Sequence, residues 1–180
     1  RENQKILWVV NTVQRCQDLA QELQERLPEA NIICYHSRFR LQDRQKRHKE
    51  VVQAFRTEKP MIAVTTQVCE MSLDLSASLL ISEFAPITAL IQRMGRSNRY
   101  LELPEGVEVL FYPPEKNLPY EAKEMKEVEE FVQKIGQDHA ISQAKLQELL
   151  EGYSPSTREM RKHLAFLGNH GFAKATGDGL

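Results

Sequence analysis

The chain has 180 residues, 41% of them apolar and 27% charged, and its 24 basic side chains face 25 acidic ones for a net charge of -1. A globular composition of this size forms one domain with an appendage, and the charge balance excludes a uniformly basic nucleic-acid coat while leaving local patches open. No apolar run is long enough to span a membrane, no signal-peptide segment opens the chain, and the three cysteines Cys16, Cys34 and Cys69 lack CxxC spacing; together these predict a reduced, cytoplasmic protein without structural zinc or a disulfide framework. Arg1 stands directly before a core strand, as in a piece of a longer protein.

Residues 6–10 form a continuous apolar run, the pattern of a parallel strand covered on both faces. Asn11-Thr12 ends it, and a helical period follows through Val13, Cys16, Leu19, Ala20, Leu23 and Leu27 until Pro28. Further strands are predicted at 31–35, 61–65, 79–82 and 107–112, and a strongly basic helix at 41–55. Arg38, Arg40, Arg44, Lys46, Arg47 and Lys49 gather around that helix with only Asp43 among them. Strands alternating with helices predict an α/β domain built on a mostly parallel sheet. Such sheets bind ligands beyond the carboxyl ends of their strands. Asn11-Thr12, His36-Ser37 and Thr65-Thr66 fall at these ends, so one sheet edge is expected to carry every motif.

Pro113-Pro114 and Asn117-Leu118-Pro119 read as a linker, dividing the chain into an α/β domain at 1–116 and a helical appendage at 117–180. Met125, Val128, Val132 and Ile135 make one apolar helical stripe ending at Gly136. Ser142 is placed to cap the next helix, with Ile141 and Leu146 as a staple. Ser156 and Glu159 form a capping box for a third helix through Met160, Leu164 and Leu167, closed by Gly168. This tail resembles the start of a winged helix whose recognition helix would carry Arg158, Arg161, Lys162 and His163. The alternative is a helical appendage packed on the first domain, and short capped helix pairs favour it.

Gln92-Arg93-Met94-Gly95-Arg96-Ser97-Asn98-Arg99 places three arginines and a glutamine around one glycine. A helix opened by Pro86 would put Arg96 and Arg99, three apart, on one face. Gly95 removes the side chain where something bulky would approach the backbone. Two guanidiniums beside an amide suit a polyphosphate whose charge shifts during reaction; a solvated basic helix end is the plainer reading.

The stretch resembles motif VI of superfamily 2 helicases, glutamine-arginine-x-glycine-arginine-x-x-arginine. Thr65-Thr66-Gln67-Val68-Cys69-Glu70-Met71-Ser72-Leu73-Asp74-Leu75 resembles motif V, and Val10-Asn11-Thr12 before a helix resembles motif IV. Tyr35-His36-Ser37-Arg38-Phe39-Arg40 with Asp43-Arg44, and the Phe84-Ala85-Pro86-Ile87 lead-in, are similar to the second RecA-like motor domain of the CRISPR-associated helicase–nuclease of type I interference systems. Glu83 stands where that pattern has an aspartate, and the carboxylate is retained. The likeness covers roughly the first two thirds of the chain, its motifs in order.

What the resemblance implies is a three-layer RecA-like domain of an ATP-dependent DNA helicase. Arg96 and Arg99 would be arginine fingers at the γ-phosphate of ATP, and Gln92 would contact that phosphate or its attacking water. Asp74 would accept a hydrogen bond from the ribose or a motif VI arginine. Thr12, Ser37, Arg38 and Thr66 would hold single-stranded DNA phosphates, which small hydroxyls, backbone N–H groups and arginines at strand ends can do without reading sequence. Arg93 is expected to pair with an acid inside the domain, the other reading being a surface arginine. His36 either meets a nucleotide or is a polar strand-end residue.

No glycine is followed by Lys-Ser or Lys-Thr, and Ser82-Glu83 lacks an acidic partner. ATP and its Mg2+ would therefore be bound mainly by a preceding RecA-like domain. The five histidines include no His-Asp dipeptide, so the family's histidine-aspartate nuclease would lie elsewhere. By the same resemblance the parent would meet a CRISPR surveillance complex. The rival readings are another superfamily 2 repair, RNA or restriction helicase and a non-catalytic nucleic-acid or protein binding module.

Overall fold

Five strands pair in parallel in the order β2-β3-β1-β4-β5: β1 at Lys5–Val9, β2 at Ile32–Tyr35, β3 at Met61–Thr65, β4 at Leu79–Glu83 and β5 at Glu108–Tyr112. The computed structural model describes residues 4–116, 118–125, 127–136 and 141–153. Every predicted strand is present within a residue or two at each end, and each described pairing is parallel. Side chains alternate across the sheet as the two-residue strand period requires. Leu7, Val9, Ile33, Tyr35, Met61 and Ala63 face one side, and Trp8, Ile32, Cys34, Ile62 and Val64 face the other.

Helices cover both faces. Helix α1 (Val13–Arg26) lays Cys16 and Leu19 on the smaller core. Its N-cap is Thr12, whose hydroxyl accepts the Arg15 N–H at 3.2 Å. The larger core takes Val51 and Phe55 of α2 (Leu41–Phe55) and Ala89, Leu90, Ile91 and Met94 of α4 (Ile87–Met94). Between β3 and β4 the chain makes α3 (Val68–Ser72). The sequence pattern gave no sign of α3, because five residues are too few to display a helical period.

Past the linker, α5 (Val128–Gly136) and α6 (Gln143–Tyr153) bury Val128, Phe131, Ile135 and Leu146 in the same larger core. Ser142 caps α6 as expected, accepting the Lys145 N–H at 3.1 Å. The predicted third helix and the winged-helix resemblance lie outside the described residues.

The thiols are free: Cys16 and Cys69 are buried, and the sulfurs of Cys16 and Cys34 lie 3.5 Å apart. No helix among the described residues is long and apolar enough to cross a membrane.

The core geometry predicts an asymmetry along the sheet. Leu80 of β4 is fully buried, whereas Leu110 of the edge strand β5 is 50% exposed. Leu80→Ala should cost about 2–5 kcal/mol, seen as a lower urea midpoint at unchanged slope. Leu110→Ala should cost well under half as much, and equal losses would mean that the cores are drawn wrongly.

Candidate functional site

Parallel strands in this register bring distant residues level. Thr65 lies opposite both Val9 and Tyr35, and Val9 lies opposite Ser82. The residues that follow, Asn11-Thr12, His36-Ser37-Arg38, Thr66-Gln67 and Phe84, therefore share the carboxyl edge. Ser37 and Arg38 are exposed there and Thr12 is half-buried. Thr66 is only 2% exposed, so it has little surface of its own to offer a strand.

His36 is buried and stacks on Phe39, with ring centroids 4.2 Å apart and planes 4° from parallel. Its Nε2 is 3.2 Å from the Gln17 amide nitrogen, which assigns the proton of the neutral ring to Nδ1. Burial, and then the Arg38 charge, hold its pKa below the usual histidine value. Nδ1 is buried and has no partner among the described residues.

Behind this edge lies Arg93, which is 0% exposed. Helical side chains lean toward the helix N-terminus, so Arg93 reaches back from the end of α4 to the carboxyl ends of the strands. Its Nε donates to Glu70 Oε1 at 2.9 Å. Its Nη1 donates to Ser82 Oγ at 2.9 Å and to the Glu83 carbonyl at 3.2 Å. Its Nη2 donates to Asn11 Oδ1 at 3.2 Å and to the Tyr120 hydroxyl at 3.3 Å. The expectation of an internal acid thus corresponds to Glu70, and the surface reading does not hold.

Burial pushes the Glu70 carboxyl above its usual range while the Arg93 charge pulls it back. Glu83 is also pushed up by burial. It accepts the Asn11 N–H at 2.7 Å and stands 3.9 Å from Arg15 Nε.

Arg96 and Arg99 are placed differently from the expectation. Helix α4 ends at Met94, with Gly95 as C-cap at φ -63°, so the two arginines do not share a helix face. They follow in a turn that includes Asn98 at φ 45°, a left-handed position that asparagine tolerates. The Asn98 amide closes the turn by bonding Leu103 through both its nitrogen and its oxygen. The turn's backbone pairs with Ala77, just before β4 begins: Ala77 N–H donates to Arg96 O at 2.8 Å, and Asn98 N–H to Ala77 O at 2.9 Å. Because α4 runs back along the sheet, motif VI leaves the carboxyl edge that the other motifs occupy.

The Arg96 guanidinium turns toward α3, its Nη2 donating to the Glu70 carbonyl at 2.5 Å. Its buried Nε has no partner, and no carboxylate pairs with it among the described residues. Burial, and then repulsion from Arg99, lower its pKa. Arg99 Nε sits 3.2 Å from Asp74 Oδ1 in an open pair, with side chains 41% and 65% exposed. Gln92 is half-buried in the last turn of α4. Within the chain nothing crowds Gly95: an added Cβ would meet only Gln92 O at 3.4 Å and Ile91 O at 3.6 Å.

Sequence reasoning missed Glu70, Asn11, Gln67 and Tyr120 as the partners that organise these arginines. The first three lie inside the recognised motifs but carry no spacing that marks them as partners. Tyr120 lies beyond the linker and had no signal. Among the described residues no group of three His, Cys, Asp or Glu side chains is placed to hold a metal ion. The arrangement leaves one guanidinium, Arg96, without a carboxylate among the described residues and a second, Arg99, in an open pair, which suits the uptake of an anion.

Comparison with known proteins identifies the family. Residues 2–102 match the family model for the C-terminal part of the CRISPR-associated nuclease/helicase Cas3. A putative CRISPR-associated nuclease/helicase Cas3 of Myxococcus xanthus is 45% identical over 139 residues, spanning 76% of this chain and 18% of that protein. One from Methanocaldococcus jannaschii is 35% identical over 127 residues, 66% of this chain and 17% of that protein. The chain thus spans less than a fifth of the length of these relatives. A crystal structure of T. fusca Cas3 with ATP superposes at TM-score 0.65 and 22% identity, over 97% of this chain and 24% of that one. The second domain of the DEAD-box helicase Mss116p, bound to an RNA duplex, superposes at 0.56 and 20% identity, over 92% of this chain and 63% of that one. A CRISPR RNA-guided surveillance complex in a pre-nicking state contains a further neighbour at 0.59 and 22% identity, over 91% of this chain and 24% of that one. The chain belongs to the Cas3 family and is its C-terminal superfamily 2 helicase domain, with the RecA-like fold.

The buried and exposed ion pairs should differ sharply in weight. Arg93→Met strands the Glu70 carboxylate and should destabilise the domain by about 3–5 kcal/mol. Breaking Arg99–Asp74 by Arg99→Met should cost no more than about 1 kcal/mol. Urea titration of both variants measures this, and similar losses would overturn the distinction.

Proposed function

We propose that this chain is the second motor domain of an ATP-dependent DNA helicase in CRISPR interference, a half-site that acts with a preceding RecA-like domain. That domain would hold ATP and Mg2+, and Arg96 and Arg99 would reach the γ-phosphate from across the gap. The observation that carries this reading is Arg96 itself: among the described residues its guanidinium has no carboxylate partner and its buried Nε is unbonded, and it lies beside a second guanidinium. Such a pair lowers its own repulsion by taking up an anion, and fixed positive charge where equatorial oxygens gain negative charge stabilises a phosphoryl-transfer transition state. Gln92, one turn earlier, is placed in this reading at the γ-phosphate or its water. Asp74 holds Arg99 until nucleotide or ribose competes for it.

Single-stranded DNA would run along the carboxyl edge. Thr12, Ser37 and Arg38 supply the phosphate contacts, with Thr66 beneath them. None of these groups selects among bases, so binding is sequence-neutral. The parent would also carry the histidine-aspartate nuclease and meet a surveillance complex, in keeping with its relatives.

Isolated, the chain should show no DNA-stimulated ATP hydrolysis above buffer. In the full-length protein, Arg96→Ala should lower turnover by about a thousandfold, the scale on which arginine fingers act. Nucleotide binding should survive. Turnover within tenfold of the parent would sink the finger assignment. Without nucleotide, Arg38→Ala should flatten the dependence of log DNA affinity on log salt by about 0.7, one phosphate contact on a single strand. An unchanged slope would remove Arg38 from the DNA surface.

A further inference from the structure

Tyr120 enters from the linker beyond Pro113-Pro114, outside every helicase motif, and its ring packs against the larger core. Its hydroxyl accepts two hydrogen bonds, from Gln67 Nε2 at 3.2 Å and from Arg93 Nη2 at 3.3 Å. Gln67 Nε2 also donates to the Asn11 carbonyl at 2.8 Å, and Arg93 Nη2 donates to Asn11 Oδ1 at 3.2 Å. Asn11, Gln67, Tyr120 and Arg93 thus close a ring of polar contacts. Three of its members come from three different motifs, and the fourth comes from the tail.

The ring bears on the proposed catalytic arginine through α3. Gln67 is the residue that opens α3. Three residues on, Glu70 takes the Arg93 Nε on its carboxylate and the Arg96 Nη2 on its carbonyl. A five-residue helix has too few hydrogen bonds of its own to hold a fixed direction, so its orientation depends on what grips its ends. Tyr120 grips the first end through Gln67 and, through Arg93, the side chain of Glu70.

We propose that Tyr120 is a positioning residue for ATP hydrolysis: its hydroxyl fixes α3, and α3 aims the Arg96 guanidinium. The proposal rests on the reading of Arg96 given above. It makes the tail part of the motor rather than a spacer, since the tail supplies an acceptor that Gln67 and Arg93 share. Burial keeps the phenol neutral by raising its pKa, so it serves as a fixed dipole at any physiological pH.

Tyr120→Phe removes a single oxygen and keeps the ring. In the full-length protein, assayed at a temperature where thermal melting shows the variant fully folded, kcat for DNA-stimulated ATP hydrolysis should fall about five- to tenfold, the weight of about one hydrogen bond. KM for ATP and the Kd for single-stranded DNA should each change less than about twofold. On an Arg96→Ala background the same substitution should cause no further loss, since Tyr120 acts through Arg96. A merely structural role would leave kcat of the folded enzyme at the parent value. Should Tyr120→Phe fail to fold, Gln67→Leu removes the same contact from the other side and should give the same fall in kcat. Parent-like kcat in the folded variant, or additivity with Arg96→Ala, overturns the proposal. If Arg96→Ala alone stays within tenfold of the parent, the finger reading has failed; if Arg96→Ala is inactive and Tyr120→Phe is normal, only the role of Tyr120 has failed.

Discussion

Burial of the Arg93 guanidinium is the constraint on which the rest of the site depends. Moving a charge out of water costs several kcal/mol even after relaxation, and the cost is met only when every donor finds an acceptor in good geometry. Here Nε, Nη1 and Nη2 all do, on Glu70, Ser82, Glu83, Asn11 and Tyr120. Those acceptors come from the end of β1, from α3, from the end of β4 and from the tail. A shift of any one of them leaves a buried donor unpaired and so carries a cost. The arginine therefore ties α3 and the tail to the ends of β1 and β4, which the sheet already holds in register.

The same helix produces two kinds of arginine by a simple geometric rule. Side chains lean toward a helix's N-terminus, so Arg93, still helical, is carried back under the sheet edge. One turn later the helix has ended at Met94, and Arg96 and Arg99 follow the path of the turn held by Ala77 and Asn98. Arg93 is neutralised by Glu70, and Arg99 meets Asp74 in the open, where solvent weakens the pair. Arg96 alone has only a carbonyl. An unneutralised guanidinium half-sunk beside another is costly in an isolated chain and becomes favourable when a polyanion arrives. That is the electrostatic profile expected of one wall of a closing cleft.

Much of this was legible in the sequence, for reasons that differ by element. The strands could be read because a parallel sheet with helices on both faces demands apolar runs such as residues 6–10, and the 13–27 helix because its apolar period is long. The pairing of Arg93 with an internal acid was legible as a kind of contact, although nothing in the spacing singled out Glu70. The helix end was not legible. Gly95 invites a stop, but an arginine spacing of three also fits a continuing helix, and the contact that decides it is the bridge of Ser97 to Ala77 across the chain. Helix α3 and Tyr120 were invisible because a five-residue helix shows no period and a linker tyrosine shows no pattern. The burial of Thr66, only 2% exposed, was not legible either, because its motif carries no sign of what covers it.

In the proposed function the path of α4 divides the domain into two working surfaces. A strand end can expose hydroxyls and backbone N–H groups along one sheet edge, a shape suited to an extended backbone of phosphates. The return of α4 along the sheet places Arg96 and Arg99 on a different flank, beside the segment from Glu70 to Asp74. In the proposed function a strand and a triphosphate occupy these separate surfaces and influence one another only through what lies between them. What lies between them is α3, which begins next to Thr66 and ends near Asp74, with Glu70 touching both Arg93 and Arg96. A short helix held at its ends by buried polar contacts can change its aim without unfolding the sheet. A longer, self-sufficient helix would resist such a change, so the shortness of α3 suits it to link the two surfaces.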